Sequence, residues 1–394
     1  MRCYLRLAVV TCFIWIPLTG AAEKLTSLSP SINGVYIHDS NLFRLPDSSG
    51  VKSDSVNINT IGLDLKKEIS LQKINANISV VDYKYSIFDY LNFTSLNYNA
   101  NMEWSVTPRL HGVISSSRSE TASNFAYNRA FNLPSQQVNK TNRFTTIYDI
   151  NSSVSFITAI DQTTYTNDQR QMGLSEYKQI GKEVGIRYSL PSGSSITYAL
   201  NASDGEYLNI INSSSNNNNS KYRQIDNAVR IHWEISPKTR ADLNTTYINR
   251  THPNASERNF NGLQSKAALN WDVTGKTSME VSWSRDYASY QTYTGNPLSD
   301  INFAQTDRLS FGPIWKISPK LVARLRYEFA KVDYMGLKSM QRNEKLHDTS
   351  FSLQWQATQH IIITAALIKS IRKSDIDFYN FKSNMTSISA QYKY

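Results

Sequence analysis

The sequence predicts an all-β chain: a single transmembrane antiparallel β-barrel of about 18 strands, with about 16 as the alternative. Three observations predict it. Apolar and polar side chains alternate along most of the chain, tryptophan-marked strand ends recur at the spacing of one hairpin, and no run of about 18 apolar residues follows the amino-terminal segment. The third removes a helical membrane protein. A chain that spans a bilayer without helices must close its sheet, because every backbone N–H and C=O then needs a partner in a neighbouring strand.

The first element is an export signal. Arg2 and Arg6 precede an apolar run from Leu7 to Ile16, followed by Pro17 and the small residues Gly20, Ala21 and Ala22. This is the pattern of a signal peptide over 1–22 with cleavage after Ala22, leaving 23–394 as the barrel. The run is too short for a bilayer-spanning anchor. Cys3 and Cys12 fall inside it, so the mature chain carries neither a disulfide nor a thiolate metal site. The formal charge is +10, or +8 without Arg2 and Arg6, but the basic residues are scattered and the chain is exported, so nucleic acid is not an expected partner.

Alternation is clearest from Leu96 to Val106, where Leu96, Tyr98, Ala100, Met102, Trp104 and Val106 are separated by Asn97, Asn99, Asn101, Glu103 and Ser105. A period of two gives a strand one apolar and one polar face. The pattern returns at Ile74–Val80, Val184–Leu190, Val229–Ile235, Leu263–Val273, Leu309–Ile317, Leu321–Phe329, Phe351–Ala357 and Ile361–Leu367.

Five strands end in one signature. Trp104, Trp233 and Trp315 precede Thr107-Pro108, Ser236-Pro237 and Ser318-Pro319; Trp271 precedes Thr274-Gly275, and Trp355 precedes Thr358-Gln359. The indole wants an apolar body and a wet N–H, so these residues form the expected aromatic girdle at the periplasmic rim, with Ser/Thr-Pro or Thr-Gly making the turn. From Trp233 to Trp271, Trp315 and Trp355 the spacing is 38, 44 and 40 residues, one up-and-down hairpin each time. A WD propeller is rejected because each unit reads as two long strands and the dipeptide occurs once, at Trp271-Asp272.

Polar segments at Asp39–Asp54, Ser116–Thr141, Asp204–Ser220, Thr251–Asn259, Ala288–Ser299 and Tyr334–His347 read as the long outer loops, and Ser116–Thr141 is long enough to fold inward as a plug. Pro313 removes a ladder hydrogen bond, so a bulge or register break is expected there. The chain closes on Ile388, Ala390, Tyr392 and Tyr394, an aromatic-terminated last strand. A soluble sandwich shares the alternation, but not the signal peptide, the tryptophan turns and the final tyrosine together.

If the apolar parity faces lipid, the opposite parity lines a wet, charged lumen. Arg187, Arg230, His232, Arg308, Arg324 and Arg326 are the candidates for holding a passing anionic polymer; the alternative is that they pair with Glu183, Glu234 and Glu328 to stiffen the wall. The six histidines show no metal or nucleophile spacing, so neither catalysis nor a cofactor is expected.

Asp39-Ser40-Asn41-Leu42-Phe43-Arg44-Leu45-Pro46, with Tyr90-Leu91-Asn92-Phe93 and the stretch from Trp104 to Gly112, resembles the EpsL-like outer-membrane proteins of exosortase-associated exopolysaccharide operons. The likeness is specific in the amino-terminal third and architectural beyond it. It implies export or assembly of an extracellular polysaccharide at the bacterial outer membrane, with periplasmic and inner-membrane export components as partners. No functional residue is carried over from the family. Asn41, Phe43 and Arg44 are recognition candidates because they sit in the most family-like string and in a loop. The same architecture serves a general or oligosaccharide-uptake porin, or a surface adhesin that conducts nothing.

Overall fold

The computed structural model describes residues 24–122, 125, 136–167, 173–174, 176–208, 221–254, 256, 259–291, 303–335 and 342–394. The expected signal peptide lies outside them.

Eighteen long antiparallel strands form one closed sheet. They are β1 (Lys24–Asp39), β2 (Asp54–Ile69), β3 (Gln72–Tyr85), β4 (Phe93–Thr107), β5 (Leu110–Ala122), β6 (Gln136–Asp149) and β7 (Val154–Asn167). After the two-residue β8 (Gly173–Leu174) come β9 (Tyr177–Ser189), β10 (Ser195–Tyr207), β11 (Lys221–Ser236), β12 (Thr239–Thr251), β13 (Phe260–Asp272) and β14 (Thr277–Gln291). The wall ends with β15 (Phe303–Ser318), β16 (Leu321–Met335), β17 (Asn343–Gln356), β18 (Ile361–Ser374) and β19 (Phe381–Lys393). Each barrel strand pairs with its chain neighbour, and β1 pairs with β19 from Ser31↔Lys393 to Asp39↔Met385, which closes the wall. The short β8 stands outside this order, pairing Gly173 and Leu174 with Gln291 and Tyr290 of β14.

Register makes the two faces explicit. Directly opposed residues share a face, so Leu96↔Val80, Tyr98↔Ile78 and Met102↔Ile74 set one apolar outer surface, continued by Phe144↔Ile160, Tyr198↔Ile186 and Leu325↔Phe351. These side chains are exposed because hydrocarbon, not protein, is their intended neighbour: Ile61 is 67 % and Leu367 57 % accessible.

Connections of two to five residues alternate with segments of six to fourteen, so the barrel has a short-turn end and a long-loop end. In all five Trp-marked turns the Ser or Thr hydroxyl accepts backbone N–H bonds. Thr107 takes that of Leu110 (3.0 Å), Ser236 that of Lys238 (3.2 Å), Thr274 that of Thr277 (3.0 Å), Ser318 that of Lys320 (3.3 Å) and Thr358 that of Ile361 (3.0 Å). The three turns containing proline add a bulge, between Ser105 and Thr107, Glu234 and Ser236, and Lys316 and Ser318. An extra residue there re-aims the chain into a turn whose φ the proline ring fixes.

Pro313 behaves differently from expectation. The β15–β16 register is the same on either side of it, from Phe311↔Tyr327 to Ile314↔Arg324, with no bulge. Only the pairing of Gly312 and Pro313 lapses, and a Cβ on Gly312 would lie 2.5 Å from the Leu325 carbonyl oxygen. The glycine lets the strands stay close where the proline donates nothing. The strands also run further than the alternation suggests: β5 reaches Ala122 and β6 begins at Gln136, so the segment read as the loop Ser116–Thr141 shrinks to 123–135.

Trp233, Trp271, Trp315 and Trp355 lie on the outer face near the short turns and are about half exposed. Trp104 shares that end and face, opposite Gly112, but stacks on Phe144 with ring centroids 5.8 Å apart, and its buried indole N–H has no acceptor among the described residues. The expected wet N–H is not found at this one position. Gly112 creates the seat, since a Cβ there would meet Trp104 Cζ2 at 2.7 Å and the Thr145 carbonyl oxygen at 2.0 Å. Gly112→Ala is therefore expected to lower stability by about 1–3 kcal/mol. Urea titration of the heat-resistant band on cold gels checks this, and an unchanged midpoint counts against the close β4–β5–β6 packing.

Candidate functional site

The lumen wall carries the charges that the alternation sends inward. Arg324 and Arg326 flank the outward Leu325 on β16, and inward Arg187, Arg230, His232 and Arg308 come from β9, β11 and β15. A one-residue slip would turn the two β16 guanidinium groups into hydrocarbon at roughly 2–4 kcal/mol each near the midplane, which holds the register.

Most of these cations meet carboxylates. Glu183, only 3 % exposed, accepts from Arg230 Nη2 at 2.7 Å and from Arg143 Nη2 at 3.0 Å, while Arg143 Nη1 lies 3.3 Å from Asp161. Gly181 keeps that space open, because a Cβ there would stand 2.8 Å from Asp161 Oδ1. His232 is held by Asp242 at Nδ1 (2.7 Å) and Glu234 at Nε2 (3.1 Å). Glu328 bridges Arg326 (2.8 Å) and Arg308 (3.3 Å). Two of the candidates differ: Arg187 bonds the Thr197 hydroxyl at 3.4 Å and Arg324 the Gln354 amide oxygen at 2.8 Å, and among the described residues neither has a carboxylate within ion-pair distance.

These side chains border a series of neighbouring recesses along one side of the wall. Arg187, Arg230, His232 and Lys266 line the first; Lys266, Arg308, Arg326 and Glu328 the second; Arg324 and Arg326 the third. Lys266 and Arg326 are shared between neighbours. The facing sector, on β3 and β4, presents amides instead: Asn75, Asn77, Asn97, Asn99 and Asn101.

At the long-loop end the β1–β2 connection is packed rather than free. Leu42, Phe43 and Leu45 form a buried cluster with Leu91, and Phe43 meets Phe88 and Phe125 edge-on at 4.8 and 5.1 Å. Phe88 and Leu91 belong to the β3–β4 connection and Phe125 to the 123–135 loop, so three outer loops meet here. Asn41 is fully buried with its amide bonded to the Leu45 and Lys382 carbonyl oxygens at 2.8 and 2.9 Å. Arg44 has φ 57°, pairs with Asp39 at 2.7 Å, donates to the Asn41 carbonyl and lies over the Phe381 ring. The three recognition candidates thus anchor a folded-in loop. Nearby, buried Glu344 accepts from Arg342 and, at 3.5 Å, from Arg372, with Arg342 resting on Tyr334 and Tyr379.

A family model described as "Putative beta-barrel porin 2" matches residues 28–394, nearly the whole chain. The chain belongs to this porin family. Among solved structures it is similar to the Pseudomonas aeruginosa OpdK with vanillate (8 % identity, TM-score 0.53, 93 % of this chain and 99 % of that one). It is also similar to OccK2 (OpdF) of the same organism in complex with glucuronate (10 %, 0.52, 93 % and 96 %) and to Acinetobacter baumannii OccAB3 (9 %, 0.52, 94 % and 99 %). At such identities the likeness is one of fold. No curated protein sequence matches the chain.

For a barrel of this family the inward charges are the residues of interest, and alternation names six basic candidates and the carboxylates Glu183, Glu234 and Glu328 among them. It misses Arg143, because the polar upper part of β6, up to Thr141, reads as loop and hides the strand's parity; it misses Arg342 and Glu344, which fall in the segment Tyr334–His347, and Arg372, which lies past the alternation at Ile361–Leu367. Their signal was present as the parity of β6, β17 and β18, once those strands are extended by a few residues. Among the described residues no three His, Cys, Asp or Glu side chains cluster to hold a metal ion. Glu183→Gln is expected to release positive charge from Arg143 and Arg230. Anion preference measured by reversal potential should rise, with stability falling by roughly 1–2 kcal/mol because both guanidinium groups still reach water. Unchanged selectivity would place this network outside the ion path.

Proposed function

We propose that the protein is an outer-membrane porin that passes anionic, hydroxyl-bearing solutes such as short acidic saccharides. The observation that carries the reading is the run of recesses lined by Arg187, Arg230, Lys266, Arg308, Arg326 and Arg324 across a lumen whose facing sector is amide-rich. A guanidinium fork matches a carboxylate, and asparagine amides both donate to and accept from sugar hydroxyls. Membership of the porin family supports the channel, and the vanillate and glucuronate bound to two neighbours of the same fold agree with a carboxylate-bearing solute. Eighteen strands are wide enough for a water-filled interior. On this reading the short-turn end faces the periplasm, which the signal-peptide pattern and the contrast between short turns and long loops support.

The second reading is export or assembly of an extracellular polysaccharide with periplasmic and inner-membrane partners. It rests on the EpsL-like string at Asp39–Pro46, which lies folded against the mouth. Under it, Phe43→Ala with Arg44→Ala reduces polymer at the cell surface; under the porin reading the same double variant changes conductance noise and leaves surface polymer intact. Scoring surface polymer in that strain decides between them.

For the main reading, Arg324→Gln with Arg326→Gln should keep heat-resistant folding and weaken anion preference in planar bilayers. The effect should be larger at low salt, where screening is weak. A glucuronate-containing oligosaccharide should block the wild-type current more than the variant's. Equal selectivity and equal block would remove the β16 arginines from the path.

A further inference from the structure

The same alternation that sends arginines into the lumen puts lysines on the outer wall, at its long-loop end. Lys331 of β16 stands directly opposite Lys345 of β17, and Lys345 directly opposite Lys373 of β18. All three share the outward parity of Phe329, Phe351 and Leu367. Lys369, of the same parity, lies two rows lower, opposite Thr349. All four lysines are exposed.

The surrounding charges neutralise Lys331 and leave the rest of the row. Asp333 takes Lys331 at 2.8 Å, and Asp307, opposite Lys331 on β15, is held by Arg285 at 2.7 Å. On the far side Lys382 of β19 meets Asp47 at 3.5 Å. Among the described residues, Lys345, Lys369 and Lys373 have no carboxylate within ion-pair distance. Like charges directly opposite each other weaken a strand pair, so the row is unfavourable unless an anion lies across it.

Height and neighbours identify that anion. Ten residues separate Lys345 from Trp355 near the short turns; at about 3.4 Å per residue and a tilt near 40° this is about 26 Å, close to the thickness of a barrel's apolar band. The row of Lys331, Lys345 and Lys373 therefore stands at the headgroup level of the outer leaflet, and Lys369, on the lower row of Tyr327 and Thr349, is placed to snorkel up to it. Immediately below the row Phe329, His347 and Tyr327 form a shelf, with the His347 ring 5.1 Å from Phe329 and its Nδ1 2.7 Å from the Tyr327 hydroxyl. Lower still, Leu325, Phe351 and Leu367 offer a purely apolar wall. Cations, then amphipathic rings, then hydrocarbon match, from top to bottom, the phosphates, sugar and acyl chains of a phosphorylated glycolipid.

We propose that Lys331, Lys345, Lys369 and Lys373 form a binding site for a phosphorylated glycolipid of the outer leaflet. This rests on the outer-membrane placement proposed above, but not on what the lumen conducts.

The test uses the full mature barrel in phosphatidylcholine nanodiscs with a minor fraction of either bisphosphorylated or dephosphorylated lipid A. Native mass spectrometry counts retained lipid, and thermal unfolding gives the stabilisation. The wild type should retain the bisphosphorylated lipid, gain melting temperature from it, and lose both as salt rises. Lys345→Gln, Lys369→Gln and Lys373→Gln together should abolish retention, and the corresponding arginine variants should keep it. Conductance in pure phosphatidylcholine, recorded alongside, tells a failed site from a failed channel. Equal retention of the dephosphorylated lipid, retention by the glutamine variant, or an equal shift from inorganic phosphate alone would overturn the assignment. If the glutamine variant does not assemble, the wild type's salt dependence and Lys373→Gln alone decide, and salt-insensitive retention overturns it.

Discussion

Backbone hydrogen bonding in a medium without water is the constraint from which the rest of this structure follows. Each N–H and C=O in the hydrocarbon zone must find a partner on an adjacent strand, and an open edge would leave a whole row unpaired at several kcal/mol per group. The pairing of β1 with β19 removes that edge, extending to Tyr394, whose N–H donates to the Pro30 carbonyl oxygen at 3.1 Å. Once the ring is closed, side-chain direction is no longer a local choice. Every residue is committed to lipid or to lumen by its parity, and a change of register anywhere would have to be compensated around the wall. Pro313 illustrates how firmly this holds: a residue that cannot donate is absorbed by the neighbouring glycine and the register does not move.

The interior then has to be polar, yet its charges cannot be left to repel one another across a narrow space. Glu183 between Arg143 and Arg230, and Glu328 between Arg308 and Arg326, are the same solution at two places: one carboxylate shared by two guanidinium groups. Asp161, 3.3 Å from Arg143, and Asp286, 4.0 Å from Arg308, complete these bridges, which fix where each cation points and bring each cluster close to neutral. Wall stiffening thus falls to the bridged cations, and anion attraction to those without a carboxylate. Arg187 and Arg324, bonded to a hydroxyl and an amide, add full charges at either end of the recess series.

How much of this is legible in the sequence depends on where hydrocarbon ends. Within the apolar band, lipid demands an apolar residue at every second position, so strands such as Leu96–Val106 declare both their existence and their inward residues. Above it, water tolerates anything. The upper parts of β5, β6, β14, β16 and β17 carry outward Arg118, Lys140, Arg285, Lys331 and Lys345, and alternation fades although the ladder continues. That is why alternation makes the loops too long and does not reach Arg143. The packing of Phe43 against Phe88 and Phe125 was illegible for another reason: it joins three loops far apart in sequence, and no local pattern encodes their meeting.

The position at which the outer parity turns from apolar to basic carries a further consequence. A strand needs no positive charge simply to stop being greasy; serine and asparagine do that elsewhere on the rim, at Ser55, Asn57 and Asn59 of β2. Where lysines instead stand opposite lysines on three successive strands, the sheet accepts a repulsion that a hydroxyl would have avoided. Sequence economy does not account for that choice, since Lys345 and Lys373 are exposed and support no inward partner. An anion at headgroup height does account for it, and it ties the barrel's vertical position to the leaflet chemistry: sinking would drag ammonium groups into hydrocarbon, and rising would strip them from phosphate. The aromatic end fixes the lower boundary by wetting, and the basic row sets the upper one by charge.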